Sequence, residues 1–356
     1  MFRPVVHPSR AGGLVIRIPI VGWSTRVQLR AVAVSLVALA LMFAVFAWSL
    51  AVGDFPVSIR NVLLSLVGQG DADARFIVRT LRLPRGLTAI LVGASFGLSG
   101  AIFQRIARNP LASPDIIGVN AGAAASAVFV IVILKGSALQ TTIGALLGAL
   151  VTGVAVYLLA YKRGVTGYRL VLVGIGVTSI LESVVSYLLT RARIFDAQKA
   201  TVWLTGSLNG RGWEHVHPVS LALLVLLPAS LFLARHLKVL ELGDDTAAGL
   251  GARVELTRGA LLMVGVALAA VATASAGPVG FVALVAPQIA RRLVRARTVA
   301  LIPSAAIGAL LLEASDLVGR RIVAPTELPV GVITAIVGAP YLLYLLARAN
   351  RIGSGG

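Results

Sequence analysis

Residues 87–134 read LTAILVGASFGLSGAIFQRIARNPLASPDIIGVNAGAAASAVFVIVIL. The octet RNPLASPD, at 108–115, holds two prolines, an arginine, an asparagine and an aspartate between two long runs of Ala, Val, Leu, Ile and Gly. A helix rising about 1.5 Å per residue needs about 20 apolar residues to cross about 30 Å of hydrocarbon. Each flanking run is near that length, so the octet reads as the turn between two membrane helices. Pro110 and Pro114 stop one helix and permit the next, because proline lacks an amide proton and is tolerated in a first turn. Ser113 or Asp115 is placed to cap the helix that follows.

The same pattern recurs along the chain. Apolar runs fall at 31–52, 86–107, 117–134, 139–161, 168–190, 217–235, 257–276, 278–294, 299–318 and 328–347, which makes ten expected spans. The sixth and eighth are short or interrupted by proline. Hydrophobic residues make up 58% of the 356 and charged ones 13%, and mean hydropathy is +0.92, whereas a soluble domain has roughly 45–50% and 25%. The runs do not alternate in polarity as barrel strands do, so the expected fold is all-α and polytopic. The first run exceeds the about 7–15-residue core of a secretory signal and reads as a retained span. Gly93 with Gly97, and Gly144 with Gly148, have the spacing that lets helix backbones approach closely in lipid.

With both termini in the cytoplasm, 20 of the 32 Lys and Arg lie inside, as the positive-inside rule prefers. Twelve cations then remain outside, and they ask for an acidic external partner. A net charge of +18 can indicate nucleic acid, but here the arginines are dispersed between apolar spans, so that reading is set aside. Residues 1–28 read as a loose basic cytoplasmic tail, 29–348 as the transmembrane domain, and 349–356 as a short tail.

Catalytic and metal chemistry finds little support. There is no cysteine, and none of the lysines follows a glycine as a nucleotide-binding G-x-x-x-x-G-K-[ST] loop requires. His215 and His217 lack the spacing that puts two imidazoles on one helical face, and Gly174-Ile175-Gly176 sits inside an apolar run with no strand before it. Glu182 and Glu313 lie within spans, where a buried charge is a functional candidate by default. Either faces an aqueous pathway or is held structurally by a neighbouring helix. The segment KVLELGDDTAAGLGARVELTR, 238–258, reads as two short helices joined by Gly251, with Asp244 and Asp245 suited to a helix amino end. It is either a solvated linker or a knob for a soluble partner. External arginines in RTLRLPRG (79–86) and at Arg320 and Arg321 suit fork-like pairing with carboxylates, or contact with phospholipid headgroups.

Several long motifs, in order from about residue 40 to 348, resemble the FecCD-type permeases of binding-protein-dependent ABC importers, which serve iron-siderophores, haem and vitamin B12. They are RLPR (82–85), GLSGAIFQRIARNPLASPDIIGVNAGA (97–123), WLTGSLNGRGW (203–213), LELGDDTAAGLG (240–251), AGPVGFVALVAPQIARR (276–292) and ELPVGVITAIVGAP (327–340). GSLNG and LGDDTA resemble most the members that carry a ferric catecholate siderophore beside a paralogous subunit. Gln288 departs from the histidine usual in this family; an amide does not titrate near neutral pH, so a proton-linked role there is in doubt while transport is expected to survive.

The resemblance implies a type II ABC importer permease fold with ten helices, in the bacterial cytoplasmic membrane. It implies a second permease subunit, paralogous or identical, two cytoplasmic ATPases that bind ATP and Mg, an extracytoplasmic siderophore-binding protein and surrounding lipid. No cofactor or catalytic residue is expected in this chain, and no nucleic acid partner. By resemblance Arg82, Arg85 and Arg320 dock the binding protein. Leu242, Gly243, Asp244, Asp245, Ala247, Ala248, Gly249 and Gly251 couple to the ATPase, Thr166 and Gly167 form the cytoplasmic gate, and Thr178, Glu182, Pro329, Val330 and Thr334 line the translocation path. The expected activity is ATP-driven uptake of a ferric siderophore by alternating access. The alternative is a proton-coupled secondary transporter using Glu182 and Glu313.

Overall fold

The computed structural model describes residues 5–9, 13–18, 23–162, 164–240, 243–251, 253–295 and 300–353. Each of the expected spans is a helix. α1 (Leu29–Ala51) is followed by α2 (Ile59–Leu66) and α3 (Ala72–Phe76), which passes through a π-helical turn (Ile77–Arg82) into α4 (Leu83–Ile106). Pro84 removes a donor from the first turn of α4, and the widened turn before it accommodates the loss. Then come α5 (Val119–Val132), α6 (Ala138–Ala160), α7 (Gly167–Arg191), α8 (Ile194–Leu204), α9 (Trp213–Leu240), α10 (Asp244–Gly249), α11 (Val254–Ala276), α12 (Val282–Val294), α13 (Leu301–Arg321) and α14 (Val330–Gly353). Among the described residues, seven helical stretches are long and apolar enough to cross a membrane.

Two expected spans are only about two thirds of the length needed to cross. α5 has 14 residues and α12 has 13, lengths of about 21 and 20 Å. Each is preceded by non-helical chain: 107–118, most of which the sequence already reads as a turn, and 277–281, most of which the sequence pattern had absorbed into a span. The expected cap is also corrected. α5 starts after Gly118, which is left-handed with φ 90° and takes no side-chain cap, so neither Ser113 nor Asp115 caps it. In α9, by contrast, Pro218 and Pro228 do not break the helix.

α4 is the centre of the bundle. Of its most apolar window 78% is buried, against 11% for α7, so one is enclosed on all sides and the other is peripheral. The reason is the absence of side chains at the contacts. A methyl group on Gly93 would overlap the backbone of Gly308, one on Gly97 that of Ser304, and one on Gly100 that of Ala283. α4 therefore lies backbone to backbone against α13 and α12, the close packing that holds helices together where lipid supplies no hydrophobic drive. Ser99 adds a hydrogen bond from its hydroxyl to the Gly265 carbonyl of α11, at 2.7 Å.

Two further expectations change. The stretch 1–28 carries a three-stranded antiparallel meander, β1 (Val5–Ser9), β2 (Gly13–Ile18) and β3 (Trp23–Val27), instead of a loose tail. Alternating residues in GLVIRI and WSTRV supply the period of two that strands need. At the other end α14 continues to Gly353, through most of the expected short tail.

Gly97→Val should overpack the α4–α13 contact and cost about 1–3 kcal/mol. The expected readout is a lower melting temperature and less monodisperse protein after detergent extraction, with Ala94→Val, on a less buried face of the same helix, as the milder control.

Candidate functional site

The polar octet lies on a buried seam. Gln288 of α12 donates from Nε2 to Gln104 Oε1 (2.9 Å) and to the Pro110 carbonyl (2.7 Å), while its Oε1 accepts from Arg291 Nη2 (2.6 Å). Gln104 in turn donates to the Leu284 carbonyl at 2.9 Å. A carboxamide makes all three of these bonds; the two ring nitrogens of a histidine cannot. Further along, Asp115 Oδ1 accepts from Asn120 Nδ2 at 2.6 Å, and Asn120 Oδ1 accepts from Thr273 Oγ1 at 2.6 Å. The backbone amide of Phe281 is directed at the same carboxylate. The seam thus ties the chain before α5 to α4, α11 and the start of α12.

Both helices that the sequence assigns to the path lean on this seam. The backbone of Gly174 in α7 packs against Ile117, so that an added methyl would lie 2.7 Å from its Cα. Thr178, one turn on, has a buried hydroxyl with no hydrogen-bond partner, and a methyl on Gly118 would sit 3.0 Å from it. Thr178 therefore points into the protomer. Val330 and Thr334 are also buried, with Thr334 Oγ1 donating to the Gly331 carbonyl at 3.0 Å, and Pro329 is half-buried. The outward face of α14 is instead Val332, Ile336 and Val337. On the inner side Gly338 is packed against the Phe281 side chain, and Phe281 is held at φ 67°. Of the expected path residues, only Glu182 is exposed in the single chain. Its surroundings differ from those of Glu313, which is fully buried between α1, α4 and α13 and accepts from Ser49 Oγ at 2.8 Å. The structure does not bring the two carboxylates together.

The arginines expected to dock a partner are engaged within the chain. Arg82 donates to the carbonyls of Leu50 (2.8 Å), Ala51 (3.2 Å) and Phe55 (2.5 Å), closing the end of α1. Arg85 pairs with Asp316 (3.0 Å) and Glu327 (2.9 Å), and Arg320 Nε lies 3.1 Å from Asp316 Oδ2. The Arg85–Asp316 pair ties α4 to α13, while Arg320 shares that carboxylate from within α13. Exposed cations on the same end include Arg75, Arg79 and Arg321, which sequence reasoning passed over or left unassigned, although RTLRLPRG contains one of them. Arg75, Arg79, Phe76 and Trp213 line an open cleft of about 480 Å³.

At the opposite end the segment expected to couple is one short helix, not two. α10 stands between Gly243 (φ 105°) and Gly251 (φ 79°), and the second charged stretch is simply the first turn of α11. Ala247 is fully buried beside Leu237 and Leu261, so it anchors the helix and is no contact surface. Thr246, Ala248, Gly249 and Leu250 are exposed. Of Asp244 and Asp245 the helical backbone alone is described, and Leu242 lies outside the described residues. Thr166 is exposed beside α10's end of the bundle, and Gly167 packs onto the backbone of Ala107, where a side chain would not fit.

A central glycine-packed helix, shortened helices and a short helix between two glycines at positive φ define a multi-pass helical membrane protein. A solved structure of a metal-chelate type ABC transporter, in an inward-facing conformation, superimposes with a TM-score of 0.78 at 28% identity, covering 89% of this chain and 99% of that one. The model of the FecCD transport family matches residues 39–348, and the chain belongs to that family. It is 42% identical over 305 residues to the ferric enterobactin transport system permease protein FepG of Escherichia coli, covering 85% of this chain and 92% of that one. It is 39% identical over 319 residues to the iron(3+)-hydroxamate import system permease protein FhuG of Bacillus subtilis, covering 87% and 95%. The chain is a permease subunit of an ABC importer and not an enzyme, ATP hydrolysis being the work of separate subunits.

Proposed function

We propose that this chain is one of two permease subunits, in a heterodimer with a paralogue, that carry a ferric siderophore of catecholate type across the bacterial cytoplasmic membrane. The observation that carries the reading is α10. An exposed patch of small residues on a six-residue helix, anchored by Ala247 and free to tilt about glycines at both ends, suits a groove on a soluble ATPase. ATP binding and hydrolysis there change the separation of the two ATPases, α10 follows, and the path helices reorient. Gly243, Asp244, Asp245, Ala248, Gly249 and Gly251 form the coupling element, and Thr166 and Gly167 gate the inner end. Both termini are assigned to the cytoplasm on the distribution of Lys and Arg.

The largely unburied α7 and the outward face of α14, with Glu182, Val332 and Ile336, line the path against the second subunit. A large anionic cargo passes most easily between walls that hold it weakly, since tight binding midway slows release. An acidic binding protein docks on the opposite end. There Arg82, Arg85 and Arg320 hold the rim in shape, and Arg75, Arg79 and Arg321 meet the carboxylates. The catecholate assignment rests on GSLNG and LGDDTA and on the likeness to the enterobactin permease. A similar likeness to a hydroxamate permease makes the cargo the first thing to test.

The test is uptake into proteoliposomes containing this chain, its paralogue and the ATPases, with binding protein added outside. Ferric catecholate should accumulate in an ATP-dependent way and outcompete ferric hydroxamate and ferric citrate. Accumulation under a pH gradient without the ATPases would establish the proton-coupled alternative instead. In the same vesicles, Arg79→Glu with Arg321→Glu should weaken capture of the binding protein by about tenfold or more at low salt, with a smaller effect at about 0.5 M salt where the Debye length is short. Unchanged affinity would remove this end as the docking surface.

A further inference from the structure

Val165 directly precedes Thr166 and Gly167, and one turn of α11 grips both polar groups of its backbone. Its N–H donates to Glu255 Oε2 at 3.3 Å. Its carbonyl accepts from Arg258 Nη1 at 2.8 Å, and the same nitrogen donates to Glu255 Oε1 at 2.8 Å. The grip is dry on one side, with Val165 2% and Arg258 8% exposed. It is also close: a methyl on Gly164, already at φ 120°, would lie 2.9 Å from Glu255 Oε1. Arg169 closes the remainder of the turn, donating to the carbonyls of Ala160, Lys162 and Gly164 at 3.3–3.4 Å. The α6–α7 turn is therefore a braced unit held from outside by a charged pair.

That pair lies at the foot of α10. Glu255 is the second residue of α11, four positions beyond Gly251, and α10 packs on both α9 and α11. Only a few residues of chain separate α10 from Glu255, so a tilt of α10 pulls on the first turn of α11, which carries Glu255 and Arg258. An apolar contact at this point would let the turn slide. Charge-assisted bonds to both the N–H and the carbonyl of one residue fix direction as well as distance.

We infer that Glu255 and Arg258 are positioning residues that pass the movement of α10 to the α6–α7 turn and so to α7. The inference rests on the proposed roles of α10 in coupling and of Thr166 and Gly167 in gating. Neither side chain needs to touch cargo or nucleotide.

The experiment uses the assembled complex in proteoliposomes, with the ferric siderophore that the wild-type complex takes up, and measures ATP hydrolysis and uptake together. Failure of the wild-type complex to show ATP-driven uptake would sink the permease reading itself. With wild type active, Glu255→Ala should leave hydrolysis within about twofold and lower uptake by about tenfold or more, the size expected when a charged hydrogen bond is lost. Glu255→Gln keeps an oxygen for the Val165 N–H and should restore most of that uptake. Arg258→Ala should act in the same direction as Glu255→Ala. Should its burial prevent assembly, Glu255→Ala decides alone, since that side chain is 37% exposed. Uptake per ATP equal to wild type in Glu255→Ala, or uptake and hydrolysis falling in step, would overturn the inference and leave the permease assignment standing.

Discussion

Non-helical chain inside a membrane bundle has no water to satisfy its backbone, so its polar groups must find partners in the protein. The segment 107–118 and the segment 277–281 both face this constraint, because α5 and α12 are too short to span alone. The two segments meet. Gln288 and Gln104 bridge from α12 and α4 to the Pro110 carbonyl, and Asp115 joins Asn120 and the Phe281 amide. The seam satisfies the chain that leads into both shortened helices, and through Gln104 it ties α4 to α12. The supports of α7 and α14 follow from the same place, through Gly174 against Ile117 and Gly338 against Phe281.

Much of the fold was legible because membrane burial writes itself as uninterrupted apolar length. Gly93 and Gly97 announced close packing by their spacing, though the partners Gly308 and Ser304 lie more than two hundred residues away and left no local sign. RNPLASPD was legible as a break in helix but not as a hub. A proline-rich octet gives the same signal for a solvent turn and for a buried seam, and Asp115 differs from a helix cap only in partners remote in sequence. The arginines had a similar ambiguity. Guanidinium pairing was readable at Arg85 and Arg320, but Asp316, which takes both, lies inside a helix and was not among the residues considered. Val330 and Thr334 were placed by motif, and motif position does not reveal which way a helix is rolled.

Rigidity is unevenly distributed, and the distribution suits alternating access. α4, α12 and α13 share backbone contacts that tolerate no added methyl, and packed interfaces of this kind shift as units. α7 has little of its surface buried within the chain. It is tied at one end by the braced α6–α7 turn and along its length by small residues such as Gly174. A peripheral helix held at a few defined points can tilt against a fixed core, whereas a helix packed like α4 cannot.

The energy for such a tilt has to be found somewhere, and the buried polar groups among the described residues form no continuous route for a proton. Gln288 occupies a point where three hydrogen bonds converge, and as an amide it takes up no proton. Glu313 is enclosed with Ser49 and has no shared route to Glu182, which stands on the open face of α7. Asp115 sits where movement would break its bonds to Asn120 and the Phe281 amide at once, which suits a fixed support more than a shuttle. Proton movement through this set would have to cross the most tightly packed part of the bundle. Under the proposed coupling, an outside push on α10 acts where the chain is exposed and flanked by glycines at positive φ, and Glu255 and Arg258 connect that end of α11 to the α6–α7 turn.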